Sequence, residues 1–194
     1  NFKVTPKQLE EAITPKTKLM MFSSPSNPTG MLYTKEELKG IADMLVKYPH
    51  VMVMADEIYE HINFEGKHES LAQFDYIKEQ VITINGVAKG FAMTGWRIGF
   101  IGAPLFIAKA CDKLQGQVTS ATCSIAQRAT IAAMELDPTT SQDIISMRTK
   151  FRERRDMMFA LLKDIPDIKV ILPQGAFYFF PDISAYFGKS YKEY

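Results

Sequence analysis

Val51-Met52-Val53-Met54-Ala55-Asp56-Glu57-Ile58-Tyr59 is the stretch on which the fold turns. Its first five residues are apolar without a break, and a carboxylate follows at once. An unbroken apolar run of this length suits a strand covered on both faces, as in a parallel sheet, whereas a sheet with one wet face reads as alternating. Leu19 to Phe22, Val81 to Ile84 and Ile98 to Gly102 have the same character. Helical patterns separate and follow them. Thr34 opens a helix that runs to about Lys47, and Glu37 three residues on completes a capping box. Two more helices are predicted from about Pro104 to Gln115 and from Ser124 to Leu136. Apolar strands alternating with helices predict a three-layer α/β/α fold around a mostly parallel sheet.

Asp137-Pro138 breaks this pattern, and a domain boundary is expected there: a large domain over 1–138, and an interdomain helix with the start of a small α/β domain over 139–194. The helix is predicted from Ser141 to Lys163, followed by strands near Ile168–Leu172 and Ala176–Phe180. Its basic run, Arg148, Lys150, Arg152, Arg154 and Arg155, reads as a solvated face with an anion-binding patch as the alternative. The chain has 194 residues, 46% hydrophobic and 23% charged, with a formal net charge of +1, which is an ordinary globular composition. That balance gives no footing for nucleic acid or a membrane surface, and no apolar run approaches the roughly 18 residues of a membrane span. Cys111 and Cys123 read as small buried apolar residues of a reduced, cytoplasmic protein. His50, His61 and His68 have no metal-ligand spacing, so no metal is expected. The chain starts at Asn1 and stops at Tyr194 without a closing element, so a piece of a longer protein is expected.

Ligands of a parallel sheet bind beyond the carboxyl ends of its strands. Just past those ends come Asn27; then Asp56 and Tyr59; then Lys89 and Arg97. An amide, a carboxylate, a phenol, an amine and a guanidinium are thereby offered to one rim. This mixture suits pyridoxal 5′-phosphate: an amine forms a Schiff base with its aldehyde and a carboxylate pairs with its protonated pyridine nitrogen. A phenol and an amide hydrogen-bond its ring hydroxyl. A guanidinium grips its phosphate with two parallel bonds. Trp96 reads as a core residue.

Three segments carry a family resemblance. They are Ser24-Pro25-Ser26-Asn27-Pro28-Thr29-Gly30, Asp56-Glu57-Ile58-Tyr59 and Lys89-Gly90-Phe91-Ala92-Met93-Thr94-Gly95-Trp96-Arg97-Ile98-Gly99. In this order and spacing the chain resembles the class I/II aminotransferases, fold-type I pyridoxal-phosphate enzymes. The Met-Thr-Gly-Trp-Arg-Ile-Gly run is most similar to the bacterial aspartate aminotransferase subgroup. The resemblance implies that Lys89 carries the cofactor and moves a proton between substrate Cα and cofactor C4′. It implies that Asp56 pairs with the pyridine nitrogen, that Tyr59 and Asn27 contact the ring hydroxyl, and that Arg97 binds the phosphate. It further implies a homodimer that moves an amino group from an amino acid, aspartate being favoured, to a 2-oxo acid, 2-oxoglutarate being favoured.

One position departs from the family. A serine usually precedes the lysine and binds the phosphate, and here that residue is Ala88. Weaker phosphate binding is therefore expected. The resemblance also implies that the phosphate-cupping loop lies before Asn1 and the arginine for the substrate α-carboxylate beyond Tyr194, with Gly175-Ala176-Phe177-Tyr178 resembling the strand before that arginine. The segment alone is then expected to be inactive. Two other functions fit the same residues: a carbon–sulfur lyase on this scaffold, and the cofactor-sensing domain of a transcription regulator behind a DNA-binding segment.

Overall fold

The computed structural model describes residues 2–190; Asn1 and Tyr194, at which the chain begins and ends, lie outside them. Its element order is α1 (Pro6–Ala12), β1 (Leu19–Ser23), α2 (Lys35–Leu45), β2 (Met52–Asp56), β3 (Val81–Gly86), α3 (Val87–Gly90), β4 (Gly99–Gly102), α4 (Leu105–Val118), α5 (Ser124–Met134) and α6 (Gln142–Lys163). The strands form one sheet in the order β1-β2-β3-β4. The first three run parallel, with Ser23 level with Asp56 and Asp56 level with Ile84; β4 returns antiparallel to β3. The result is the expected α/β fold, with two parallel pairings and one antiparallel.

α2 shows how the sequence sets an element. Thr34 Oγ1 accepts from the Glu37 amide at 3.2 Å, and a Glu37 carboxylate oxygen accepts from the Thr34 amide at 2.8 Å. These bonds satisfy donors that a helix start leaves open. Leu38, Ile41, Ala42 and Leu45 then recur at the spacing of one helical face, and all are buried against Val51, Val53 and Val81. Burying each such leucine or isoleucine contributes roughly 1.5–3 kcal/mol. On the opposite face of β1, Leu19 and Met21 remain 42% and 69% exposed.

The strands expected at 168–172 and 176–180 do not form. The region has two single bridges, Asn63 with Gly175 and Lys169 with Asp182. In the second expected strand the cause is backbone geometry: Ala176 sits at φ 56°, a left-handed conformation that interrupts an extended chain. The amides of this segment go to loops. Gln174 and Gly175 donate to the Gly30 carbonyl at 2.8 and 2.9 Å, and Ala176 donates to Ile62 O at 2.8 Å. The segment thus docks onto the turn after β1.

Three further expectations change. Cys111 and Cys123 are both exposed, because α4 has no buried residue and Cys123 caps the start of α5. Trp96 is 45% exposed, in a short turn that no hydrophobic cluster includes. The basic run of α6 is only partly a solvated face. Lys150 pairs with Glu153, but Arg152 donates to Phe64 O, and Arg155 lies 4.7 Å above the Phe64 ring while donating to Pro173 O at 2.9 Å. Two of the five cations therefore clamp α6 onto the preceding loops.

Gly175 is pinned by close approach. A Cβ there would fall 2.8 Å from Ile62 O and 2.9 Å from the Pro25 side chain. Gly175→Ala is expected to cost about 1–3 kcal/mol of stability, read as a lowered denaturation midpoint.

Candidate active site

The rim is built on strand ends held level by register. Asp56 closes β2, and the Glu57 amide donates to Ile84 O at 2.9 Å, so the chain turns away from the sheet there. One Asp56 oxygen accepts from the Ile58 amide at 3.1 Å and the other has no partner among the described residues. The turn is braced from behind. Buried Glu57 accepts from Ser70 Oγ at 2.7 Å and lies 2.9 Å from His68 Nε2. Asn85, at the end of β3, donates to Glu60 at 2.7 Å. His61 fills the space beside Gly90, where a Cβ would fall 2.5 Å from its ring, and meets Phe91 edge-on at 5.2 Å. Burial, more than its charged neighbours, lowers the His61 pKa.

These braces set Tyr59 in the wall of the site. Its ring is buried, and its hydroxyl lies 2.5 Å from that of Tyr178. Asn27 donates to the same Tyr178 hydroxyl at 3.4 Å. The Tyr59 phenol is pushed well above the ordinary tyrosine range: first by burial, then by the bond to Tyr178 and by the Tyr178 and Asp56 charges, with Asn27 opposing. A phenol so perturbed stays protonated through neutral pH and offers its proton as a donor.

Lys89 lies on the single turn α3, half-buried, with Nζ 5.6 Å from the centre of the Phe177 ring. Phe177 in turn meets Tyr59 edge-on at 5.3 Å. Asn27, Asp56, Tyr59 and Lys89 are thereby brought to one rim, with Tyr178 and Phe177 between them. Arg97 is apart: it is exposed, its Nη1 donates to Thr94 O at 3.0 Å, and no contact joins it to the other four. Its backbone sits at φ 55°, a left-handed conformation uncommon for arginine.

Sequence reasoning missed Tyr178 as a site residue. The signal was present in Gly175-Ala176-Phe177-Tyr178, but reading those residues as a strand of another domain hid that two glycine contacts carry them to the rim.

The donor set fits a pyridine aldehyde phosphate. It holds an amine, a carboxylate with one free oxygen, and a protonated phenol beside an amide, and nothing in it resembles a metal cage: no metal-binding group of histidine, cysteine or carboxylates occurs among the described residues. No described helix is long and apolar enough to cross a membrane.

Comparison with known proteins agrees. The family model of aminotransferase class I and II, whose members depend on pyridoxal phosphate, matches residues 1–193. The chain is 40% identical over 195 residues to an aspartate aminotransferase of Pinus pinaster, covering 100% of this chain and 40% of that protein. It is 44% identical over 184 residues to an aspartate aminotransferase of Geobacillus stearothermophilus, covering 94% of this chain and 46% of that one. It is similar in structure to the aspartate aminotransferase of Rhizobium meliloti, with a TM-score of 0.88, 37% identity, and 93% and 45% of the two chains covered. The chain spans less than half the length of these relatives. With the family model matching from end to end over a rim of suitable chemistry, the chain belongs to the class I and II aminotransferases.

Proposed function

We propose that the whole protein is a transaminase that takes an amino group from an amino acid, with aspartate favoured, and delivers it to a 2-oxo acid, with 2-oxoglutarate favoured. The observation that carries this reading is the hydrogen-bonded set of Tyr59, Tyr178 and Asn27 beside Asp56, with Lys89 facing the same aromatic wall. Aspartate as donor is supported by relatives named aspartate aminotransferase, and by one from Cereibacter sphaeroides named aspartate/prephenate aminotransferase.

When bound, pyridoxal phosphate supplies an aldehyde for an amine to capture and a ring that draws electrons from the substrate Cα. Lys89 would hold the cofactor through its amine. Once released by substrate, the same amine would remove the Cα proton and return a proton at C4′. The free Asp56 oxygen would accept from the protonated pyridine nitrogen, and the Tyr59 phenol and the Asn27 amide would donate to the ring hydroxyl. Arg97 would leave its local bond to Thr94 O to bind the phosphate. Residues 1–138 would form the cofactor-binding domain and 139–194 the start of the smaller one. A homodimer is supported by the family and by the uncovered apolar residues of α4, Leu105, Phe106, Leu114 and Val118 among them. The cytoplasm is the proposed compartment, in keeping with two unpaired thiols.

The deciding experiment loads the whole protein with pyridoxal phosphate and gives it one amino acid at a time without acceptor. The expected result is a change in the visible absorbance of the bound cofactor with one equivalent of oxo acid from aspartate, lost in Lys89→Ala. Release of ammonia and thiol from a sulfur amino acid instead, or no oxo acid from any donor, would sink the reading. Tyr178→Phe should lower the Tyr59 pKa, since the Tyr178 hydroxyl raises it; a tyrosinate titration in the near ultraviolet checks this against Tyr59→Phe. Ala88→Ser should tighten cofactor binding by about tenfold through one added bond to the phosphate, measured by titrating the apoprotein.

A further inference from the structure

A cavity of about 500 Å³ lies between the 63–67 turn and α6, and no rim residue lines it. Asn63, Lys67, Arg148, Thr149 and Arg152 line it, and no carboxylate does. Lys67 and Arg148 form no ion pair among the described residues, although neighbouring cations do: Lys150 with Glu153 at 2.8 Å and Arg155 with Asp156 at 2.7 Å. Arg152 spends one nitrogen on Phe64 O and keeps its other donors.

The second observation is Asn63. This residue is 5% exposed, and its side-chain oxygen accepts from the Glu65 amide at 2.8 Å. That bond orients the amide and leaves its NH2 group with no acceptor among the described residues. Two unpaired cations, a guanidinium with donors to spare and an amide whose NH2 group is open to solvent thus line one hollow. The volume lies within the usual range for small-molecule sites and exceeds what bare phosphate fills. Asn63 and Lys67 also line an adjoining cavity together with Glu36, Glu65 and Glu69, whose carboxylates repel an extended polyanion.

We propose that this cavity binds a compact phosphate monoester, held by Lys67 and Arg148 with the Asn63 amide donating to it. The site is independent of the transaminase reading. Arginine favours phosphate through its fork of donors, and the 63–67 turn presents Lys67 from the facing side.

The test is calorimetric titration of glycerol 3-phosphate into the whole protein loaded with pyridoxal phosphate, with no amino acid present. Loading occupies the cofactor's own phosphate site, so further binding lies elsewhere. The expected result is saturable binding of one molecule per chain, weakened by added salt, with no heat from glycerol. Lys67→Gln, Arg148→Gln and Asn63→Ala should each raise the Kd by about tenfold, while Lys150→Gln leaves it unchanged. Thermal melting confirms that each variant folds, and Arg148→Lys, which keeps the charge, should retain most of the affinity. No saturable binding at millimolar concentrations, or equal affinity in the Lys67→Gln/Arg148→Gln double variant, overturns the proposal. Neither result touches the oxo-acid assay, so the two readings fail separately.

Discussion

The carbonyl of Gly30 accepts two amide protons, from Gln174 and Gly175, and the assembled rim depends on that junction. The backbones approach too closely there for any side chain: a Cβ on Gly30 would fall 2.5 Å from the Pro173 side chain, at φ +68°. Past the junction the chain runs Ala176, Phe177, Tyr178. Without it, Tyr59 would lose its hydroxyl partner, Lys89 would lose the aromatic wall beside it, and Asn27 would lose the Tyr178 hydroxyl it donates to. The strand ends supply Asp56 and Lys89 on their own. The junction adds the tyrosine and phenylalanine that stand between those separate groups.

Burial of Tyr59 is what shifts the electrostatics of the rim. The Tyr59 phenol is raised chiefly because burial penalises its anion, and its neighbours Tyr178 and Asp56 add to that in the same direction. A group whose charged form is so disfavoured serves as a fixed donor and not as an acid that titrates during a reaction. The braces behind it, Glu57 with Ser70 and His68, and Asn85 with Glu60, hold the 56–60 turn by buried polar bonds. Such bonds position a turn more narrowly than apolar packing does, because each has a direction as well as a distance.

The sheet was legible because its signal is local. Four apolar runs, a capping box at Thr34 and an apolar face of period 3.6 all lie within single elements, and all three parallel strands begin within one residue of where the pattern puts them. The position of Asp56 was legible for the same reason, since register alone carries it level with Ser23, whereas Arg97, expected at the same rim, stands apart from it. Tyr178 was not legible, because its place depends on the left-handed backbone at Ala176 and on a glycine contact across more than a hundred residues. Trp96, Cys111 and Cys123 misled for another reason. Residue type predicts burial only where something covers the residue, and among the described residues nothing covers Trp96, Cys123 or the α4 face that holds Cys111. The basic run of α6 divided for a similar cause: charge pattern identifies a polar face but does not tell which arginines cross to a neighbouring carbonyl, as Arg152 and Arg155 do.

The chain separation within the rim has a temporal meaning. Asn27 and Tyr178 are 151 residues apart. A ribosome adding about 5–20 residues per second delivers the second roughly 8–30 s after the first. The parallel strands β1, β2 and β3 follow one another closely and can pair within that interval, whereas the tyrosine wall cannot yet exist. A nascent chain therefore pairs these three strands before the tyrosine wall of the rim can form, and the order of synthesis separates the scaffold of the site from its lining.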